Sequence, residues 1–209
     1  ARFLLGPRYV MLRPEFRNVP VRAPRPEMQN VLIAVGGADP RGLLSILLEA
    51  AGLLPEQCVV TAITAPMFAH PEVVDAAAAR CARPVRLVRD PPSVRALMVE
   101  ADLALSAGGQ TMYELAAAGT PTVAVAAADN QIASVRAMAD AGVVRAVSGA
   151  DDASLRAQVG DVLVELLPRP DLRAAMAAAG RRLVDGCGAE RVAEVLISLR
   201  PSAKRAGAP

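Results

Sequence analysis

The sequence predicts an α/β domain, a doubly wound parallel sheet of six strands with helices on both faces. Three observations carry this. Short runs of Val, Leu, Ile and Ala alternate with longer stretches of helical periodicity, and strands that alternate with helices build a parallel sheet through right-handed crossovers. Hydrophobic residues make up 53% of the 209 and charged residues 21%, enough apolar material for a core and too much for a chain disordered throughout. Aromatics are only 2%, without Trp, so the interior must be close-packed Ala, Val, Leu and Ile.

Taken in order, residues 1–29 carry Pro7, Pro14, Pro20, Pro24 and Pro26 among arginines and cannot sustain a helix. They read as an extended interdomain connector, and a domain of residues 30–200 begins near Asn30. Its first strand is 31–35, followed by helix 41–54, strand 58–63, helix 71–82, strand 85–88 and helix 93–100. The fourth strand starts at Leu103 and runs into a glycine pair and a helix from about Thr111; strand 122–125, helix 131–141 and strand 143–147 follow. Three helices close the chain, at 153–167, 172–184 and 189–199. Leu172, Ala175, Met176, Ala179 and Leu183 repeat at helical spacing, as do Val192, Val195, Leu196 and Leu199, so these helices are amphipathic covers for the sheet or for a partner domain. Residues 201–209 are small, polar and basic, the composition of a disordered tail.

Six strands in this rhythm imply the order 3-2-1-4-5-6, which reverses between strands 1 and 4. Ligands of such sheets bind where the carboxyl ends of those two strands part. That selects two loops, Gly36-Gly37-Ala38-Asp39-Pro40 and Ser106-Ala107-Gly108-Gly109-Gln110-Thr111, each a glycine pair that opens a helix. A helix start leaves N–H groups unpaired and presents a positive dipole end, so either loop can face an anion. In the first loop Asp39 is read as a helix N-cap and Pro40 as a first-turn proline, while Gly36 and Gly37 are more glycine than a cap needs and favour close approach of a ligand. In the second, Thr111 and Glu114 fit a Thr-x-x-Glu capping box, and Glu114 fits a ligand role as well. Asp129-Asn130-Gln131 opens the helix after strand 5 on the same edge. Asp129 or Asn130 could cap it, or Asn130 and Gln131 could donate to sugar hydroxyls or phosphate oxygens.

Several classes are disfavoured. The loops lack Gly-x-Gly-x-x-Gly, and strand 2 ends Ile63-Thr64-Ala65 without the acidic residue that holds an adenosine ribose; no Gly-x-x-x-x-Gly-Lys-Ser/Thr occurs. Net charge is +2, all basic residues but Lys204 are arginine and they are dispersed, a poor footprint for nucleic acid. Cys58, Cys81 and Cys187 are an odd, widely spaced set and His70 is the lone histidine, so neither a disulfide framework, a metal site nor a cofactor is expected, and a reducing cytoplasm fits. His70, before Pro71, reads as a surface residue. No run reaches the ~18 apolar residues of a membrane span. The chain starts at Ala1 rather than Met, as a processed protein or a fragment would.

With these loops in place the chain resembles the carboxyl-terminal half of nucleotide-sugar enzymes of two-domain GT-B architecture, and most of all the UDP-2,4-diacetamido-2,4,6-trideoxy-β-L-altropyranose hydrolases of pseudaminic acid biosynthesis and their spore-coat polysaccharide relatives. The resemblance lies in LGPRYVMLRPEF at residues 5–16, VGGADP at 35–40, ALSAGGQTMYELAAAGTP at 104–121, ADNQ at 128–131 and DGCGAERV at 185–192. It implies a Rossmann-like carboxyl-terminal domain that holds UDP, with the diphosphate over Gly108, Gly109, Gln110 and Thr111 and the Glu114 carboxylate on the ribose. Gly36, Gly37, Ser106, Asn130 and Gln131 complete the set of UDP contacts it implies. Where such proteins commonly carry Ser or Thr after the glycine pairs, this chain has Ala38 and Gln110. The resemblance further implies a UDP-sugar as ligand and an amino-terminal domain that supplies the catalytic residues; no catalytic residue is expected in this chain. A GT-B glycosyltransferase donor domain and a non-catalytic interaction module are the alternatives.

Overall fold

A computed structural model of the protein describes residues 3–22 and 25–199; the tail expected at 201–209 and the connector's Pro24 lie outside the described residues. The strands are β1 (Asn30–Ala34), β2 (Val59–Thr64), β3 (Val85–Arg89), β4 (Leu103–Ala107), β5 (Thr122–Val125) and β6 (Val144–Val147). They form one sheet in the order β3-β2-β1-β4-β5-β6, parallel throughout, which is the expected doubly wound order. At the reversal β1 lies beside β4, with Val31 opposite Leu103 and Ala34 opposite Ser106.

The helices are α1 (Leu43–Ala51), α2 (Pro71–Arg80), α3 (Arg95–Glu100), α4 (Gln110–Ala118), α5 (Asp129–Asp140), α6 (Asp152–Leu166), α7 (Pro170–Leu183) and α8 (Gly188–Ser198). Because successive strand residues point to opposite faces, β1 sends Val31 and Ile33 into one core and Leu32 and Ala34 into another. The first core packs under α1, α2 and α6. The second packs under α3, α4 and α5, and its sheet surface is lined by Ala34, Ala104 and Ala124. Small side chains there let α4 sit close to the strands, and α7 then closes over α4 so tightly that a Cβ at Gly180 would lie 2.9 Å from the Ala116 carbonyl oxygen. Phe16 and Phe68 are the aromatic residues of the core, as the composition requires.

The closing helices divide. α6 covers the sheet through Leu155, Val159, Leu163 and Leu166, and α7 covers α4. α8 covers neither: Gly188 is its buried residue, while Leu196, Ile197 and Leu199, just past its end, are more than half exposed. Of the expected apolar ridge, Val192 and Val195 are half-buried, and Leu196 and Leu199 face outward.

The segment ahead of β1 contains no α-helix among the described residues. It makes two 3-10 turns, at Pro7–Tyr9 and Pro14–Phe16, each opened by a proline whose fixed φ suits a first turn. It is also firmly attached. Phe16 and Leu12 are buried against α4. Further along, buried Asp102 accepts the N–H groups of Gln29 and Asn30 at 2.9 Å and pairs with Arg22 at 2.5 Å and Arg25 at 3.2 Å. Burial works to raise the Asp102 pKa, but these N–H groups and Arg22 outweigh it and hold the carboxyl below its ordinary value. Fully buried Arg173 donates to the carbonyls of Leu166, Leu167, Arg25 and Pro26 at 2.7–2.9 Å, clamping the same segment from α7.

Candidate functional site at the switch point

The two glycine loops meet as expected. A Cβ built on Gly36 would lie 3.9 Å from the Thr111 hydroxyl oxygen, so the end of β1 touches the start of α4. Gly36 has φ +101°, a left-handed conformation that disfavours any side chain, and Gly37 faces open space. Beside them opens a cleft of about 190 Å³. Gly36, Gly37, Thr111 and Glu114 line it, together with Arg13, Thr64 and Asp90. Ala34, Ile63 and Met98 form an apolar floor.

The two helix ends at this edge differ in what remains for a ligand. The Asp39 carboxylate accepts from Leu43 N–H and Leu44 N–H, both at 2.8 Å, so the first turn of α1 is already satisfied. Asp39 thus caps as expected, but from further upstream: α1 begins only at Leu43, after Gly42, which leaves Pro40 outside its first turn. α4 begins at Gln110 with Gly109 in the cap position and no side-chain cap. The capping box expected of Thr111 and Glu114 is therefore absent, because both residues lie inside the helix rather than at its border. Without a protein acceptor at its cap, the start of α4 keeps its capacity for an anion.

Glu114 points into the cleft from the second turn of α4 and is 9% exposed. Its Oε1 is 3.4 Å from Arg13 Nη2, and Arg13 also meets Glu15 at 3.3 Å. Burial pushes the Glu114 pKa above the ordinary carboxylate value; Arg13 opposes this and Glu15 adds to it.

The remaining expected residues have other engagements. The Ser106 hydroxyl is fully buried and donates to the Ala34 carbonyl at 2.8 Å, with the Ala107 carbonyl at 3.0 Å, so it bridges β4 to β1 instead of facing the cleft. Gly108 is required by packing, since a Cβ there would lie 2.1 Å from Val135 Cγ2 of α5. Gly109 has more room, with Gln131 Nε2 at 3.7 Å from an added Cβ. Gln110 donates to the Met11 carbonyl at 2.9 Å. Gln131 Oε1 accepts from Ala127 N–H at 3.0 Å, tying down the turn into α5, whose cap position is Ala128; neither Asp129 nor Asn130 caps it. Asn130 is exposed on the same edge. His70 is at the surface beside Glu72, as expected. Among the described residues no three His, Cys, Asp or Glu side chains cluster in a way that could hold a metal ion.

Two wall residues escape the sequence reading. Arg13 arrives from the proline-rich segment; it lies within the matching stretch at residues 5–16, but its local sequence assigns it no role in a site. Asp90 ends β3 with φ +43°, its N–H donating to the Thr64 carbonyl at 2.9 Å. The rule that ligands sit at the carboxyl ends of parallel strands extends to β2 and β3, and the run Asp90-Pro91-Pro92 after an apolar strand marks such an end.

No protein-family model matches the chain. It is similar to the spore coat polysaccharide biosynthesis protein SpsG of Bacillus subtilis (strain 168), 28% identical over 207 residues, which are 95% of this chain and 59% of that protein. In structure it is similar to MurG of Acinetobacter baumannii, with TM-score 0.69 and 19% identity over 83% of this chain and 50% of that one. It is likewise similar to S. aureus MnaA as seen in its co-structure with UDP, with TM-score 0.63 and 16% identity over 84% of this chain and 49% of that one. The chain thus spans about half the length of these solved proteins and 59% of SpsG. Its fold is the Rossmann-like α/β fold of one domain of GT-B glycosyltransferases.

Proposed function

We propose that this chain binds the UDP portion of a UDP-sugar in the switch-point cleft, as the donor-holding domain of a two-domain nucleotide-sugar enzyme. The observation that carries the reading is the pairing of an uncapped α4 start with a buried carboxylate one turn further on, Glu114. A uridine ribose on that carboxylate sets its phosphates toward the first N–H groups of α4, with Gly36 and Gly37 leaving room on the other side. The cleft, at about 190 Å³, lies below the roughly 300–1,000 Å³ of sites that enclose a whole small molecule and suits a nucleoside with its sugar end protruding. The UDP held by MnaA and the likeness to SpsG support the same reading.

Within that class we favour a hydrolase that releases UDP, on the resemblance to the altropyranose hydrolases; a glycosyltransferase donor domain shares the same UDP-binding half. In either reaction negative charge grows on the departing diphosphate, and the α4 N–H groups stabilise it without rearranging. We infer that a further amino-terminal domain supplies the groups that act on the sugar. The outward apolar ridge at Leu196 and Leu199 and the exposed Phe3 and Leu5 are surfaces for such a neighbour. The three free cysteines fit a cytoplasmic setting, and no described helix is long and apolar enough to cross a membrane.

Calorimetric titration with UDP tests the reading. Binding is expected, and Glu114→Ala weakens it by roughly 1.5–3 kcal/mol, the scale of a hydrogen bond to a charged group. A well-folded chain that takes up no UDP defeats it and leaves Glu114 and the glycines to packing.

A further inference from the structure

We propose that Arg13 is a positioning residue of this site: reaching in from the segment ahead of β1, it holds the Glu114 carboxylate ionised and aimed at the ribose hydroxyls. This rests on the nucleotide reading above and adds to it a residue from outside the sheet, so that the connector becomes a wall of the binding site.

The geometry fixes both ends of the pair. Phe16, three residues on, is buried at 1% exposure, and the Arg13 guanidinium lies 5.7 Å from its ring centroid. Glu15 is held by the Ser93 hydroxyl at 2.6 Å, and the Met11 carbonyl accepts from Gln110 at the start of α4. The backbone on either side of Arg13 is therefore tied to the cleft rim. The side chain occupies a single carboxylate oxygen, Oε1; among the described residues Oε2 has no protein partner and remains for a ligand hydroxyl.

Chemistry explains why such a partner is needed. A ribose donates through its hydroxyls, so Glu114 must accept, and burial over an apolar floor favours the protonated form of a carboxyl. The charged groups facing it are Arg13 and Glu15 from the connector and Asp90 across the cleft. Arg13 is the cation of that set, and it counters both burial and the neighbouring Glu15 carboxylate.

The test titrates the chain with UDP and with uridine, which has no phosphate to titrate, from pH 8 to pH 5, for wild type, Arg13→Ala and Arg13→Lys. Arg13 is 46% exposed, so the pair is worth little in plain stability. The expected weakening at pH 7 is accordingly about two- to fivefold for either ligand. The pH at which uridine affinity is lost moves upward in Arg13→Ala, and Arg13→Lys restores most of it. Denaturant midpoints confirm that the variants are folded. Unchanged uridine affinity with an unchanged pH midpoint overturns the proposal. So does a loss seen with UDP alone, which places Arg13 on the phosphates, and so does tighter binding, which makes Arg13 a competitor of the ribose. A wild type that binds neither ligand defeats the nucleotide reading and this proposal with it, whereas wild-type binding unaffected by Arg13 defeats only the proposal.

Discussion

At the end of β1, Gly36 and Gly37 lead into a helix whose first N–H groups are already taken by Asp39; at the end of β4, Gly108 and Gly109 lead into a helix with no side-chain cap. The two loops share a sheet edge and a glycine pair, yet their glycines answer to different demands. Gly36 serves a left-handed backbone and Gly37 faces open space, while Gly108 makes room for Val135. The capacity to hold an anion therefore does not follow from glycine content. It follows from whether a side chain has already satisfied the helix end.

The comparison breaks most visibly at Gly108. Gly108→Ala places a methyl in the space of Val135 Cγ2 and is expected to destabilise by roughly 1–3 kcal/mol, whereas Gly37→Ala stays within about 0.5 kcal/mol. Urea denaturation of both variants checks this, and adding Val135→Ala to Gly108→Ala recovers part of the loss. Equal effects at the two glycines would erase the distinction drawn between the loops.

A smaller effect sharpens it at the caps. Asp39→Ala removes both first-turn acceptors of α1 and should cost ~1–2 kcal/mol of stability, with UDP affinity unchanged if, as proposed, the phosphates lie at α4. If the same substitution alters UDP affinity severalfold in a folded protein, α1 shares the phosphate site.

The smallest effect is the titration of Glu114. Its pKa is raised in the folded chain chiefly by burial, so the favourable contribution of the neutral carboxyl is complete below the unfolded value of 4.5 and is lost as pH rises through the folded value. Glu114→Gln, which is neutral throughout, should therefore gain stability relative to wild type on going from pH 4 to pH 7. Uridine binding runs the other way, since the ribose needs the ionised form, and falls as pH drops through the same window. Thermal melts and uridine titrations across that range separate the two trends. A relative stability of Glu114→Gln that does not change with pH would mean that burial leaves the carboxyl unperturbed.

The element order was legible because it depends on local chemistry. Apolar runs such as Leu103-Ala104-Leu105 mark buried strands, helical spacing marks the covers, and the handedness of crossovers leaves one sheet order. That order in turn located the switch point, and with it Gly36, Gly37, Thr111 and Glu114 as residues of one cleft. The same reading failed where a residue's role depends on what lies across from it. Thr111 and Glu114 have capping-box spacing, but the helix starts two residues too early for the box to form. Ser106 sits in the loop sequence, but its hydroxyl is spent on Ala34.

By itself, then, the sequence determined the strands, their order and the edge at which the switch-point cleft opens, because periodicity and chain handedness act over short distances. Only the tertiary structure decided which groups reach that edge. Arg13 and Glu114 stand 101 positions apart in the chain and meet at 3.4 Å because Phe16 is buried against α4 and Asp102 holds the connector beneath β1. Such a meeting has no local signature, since it is set by packing between elements remote in the chain.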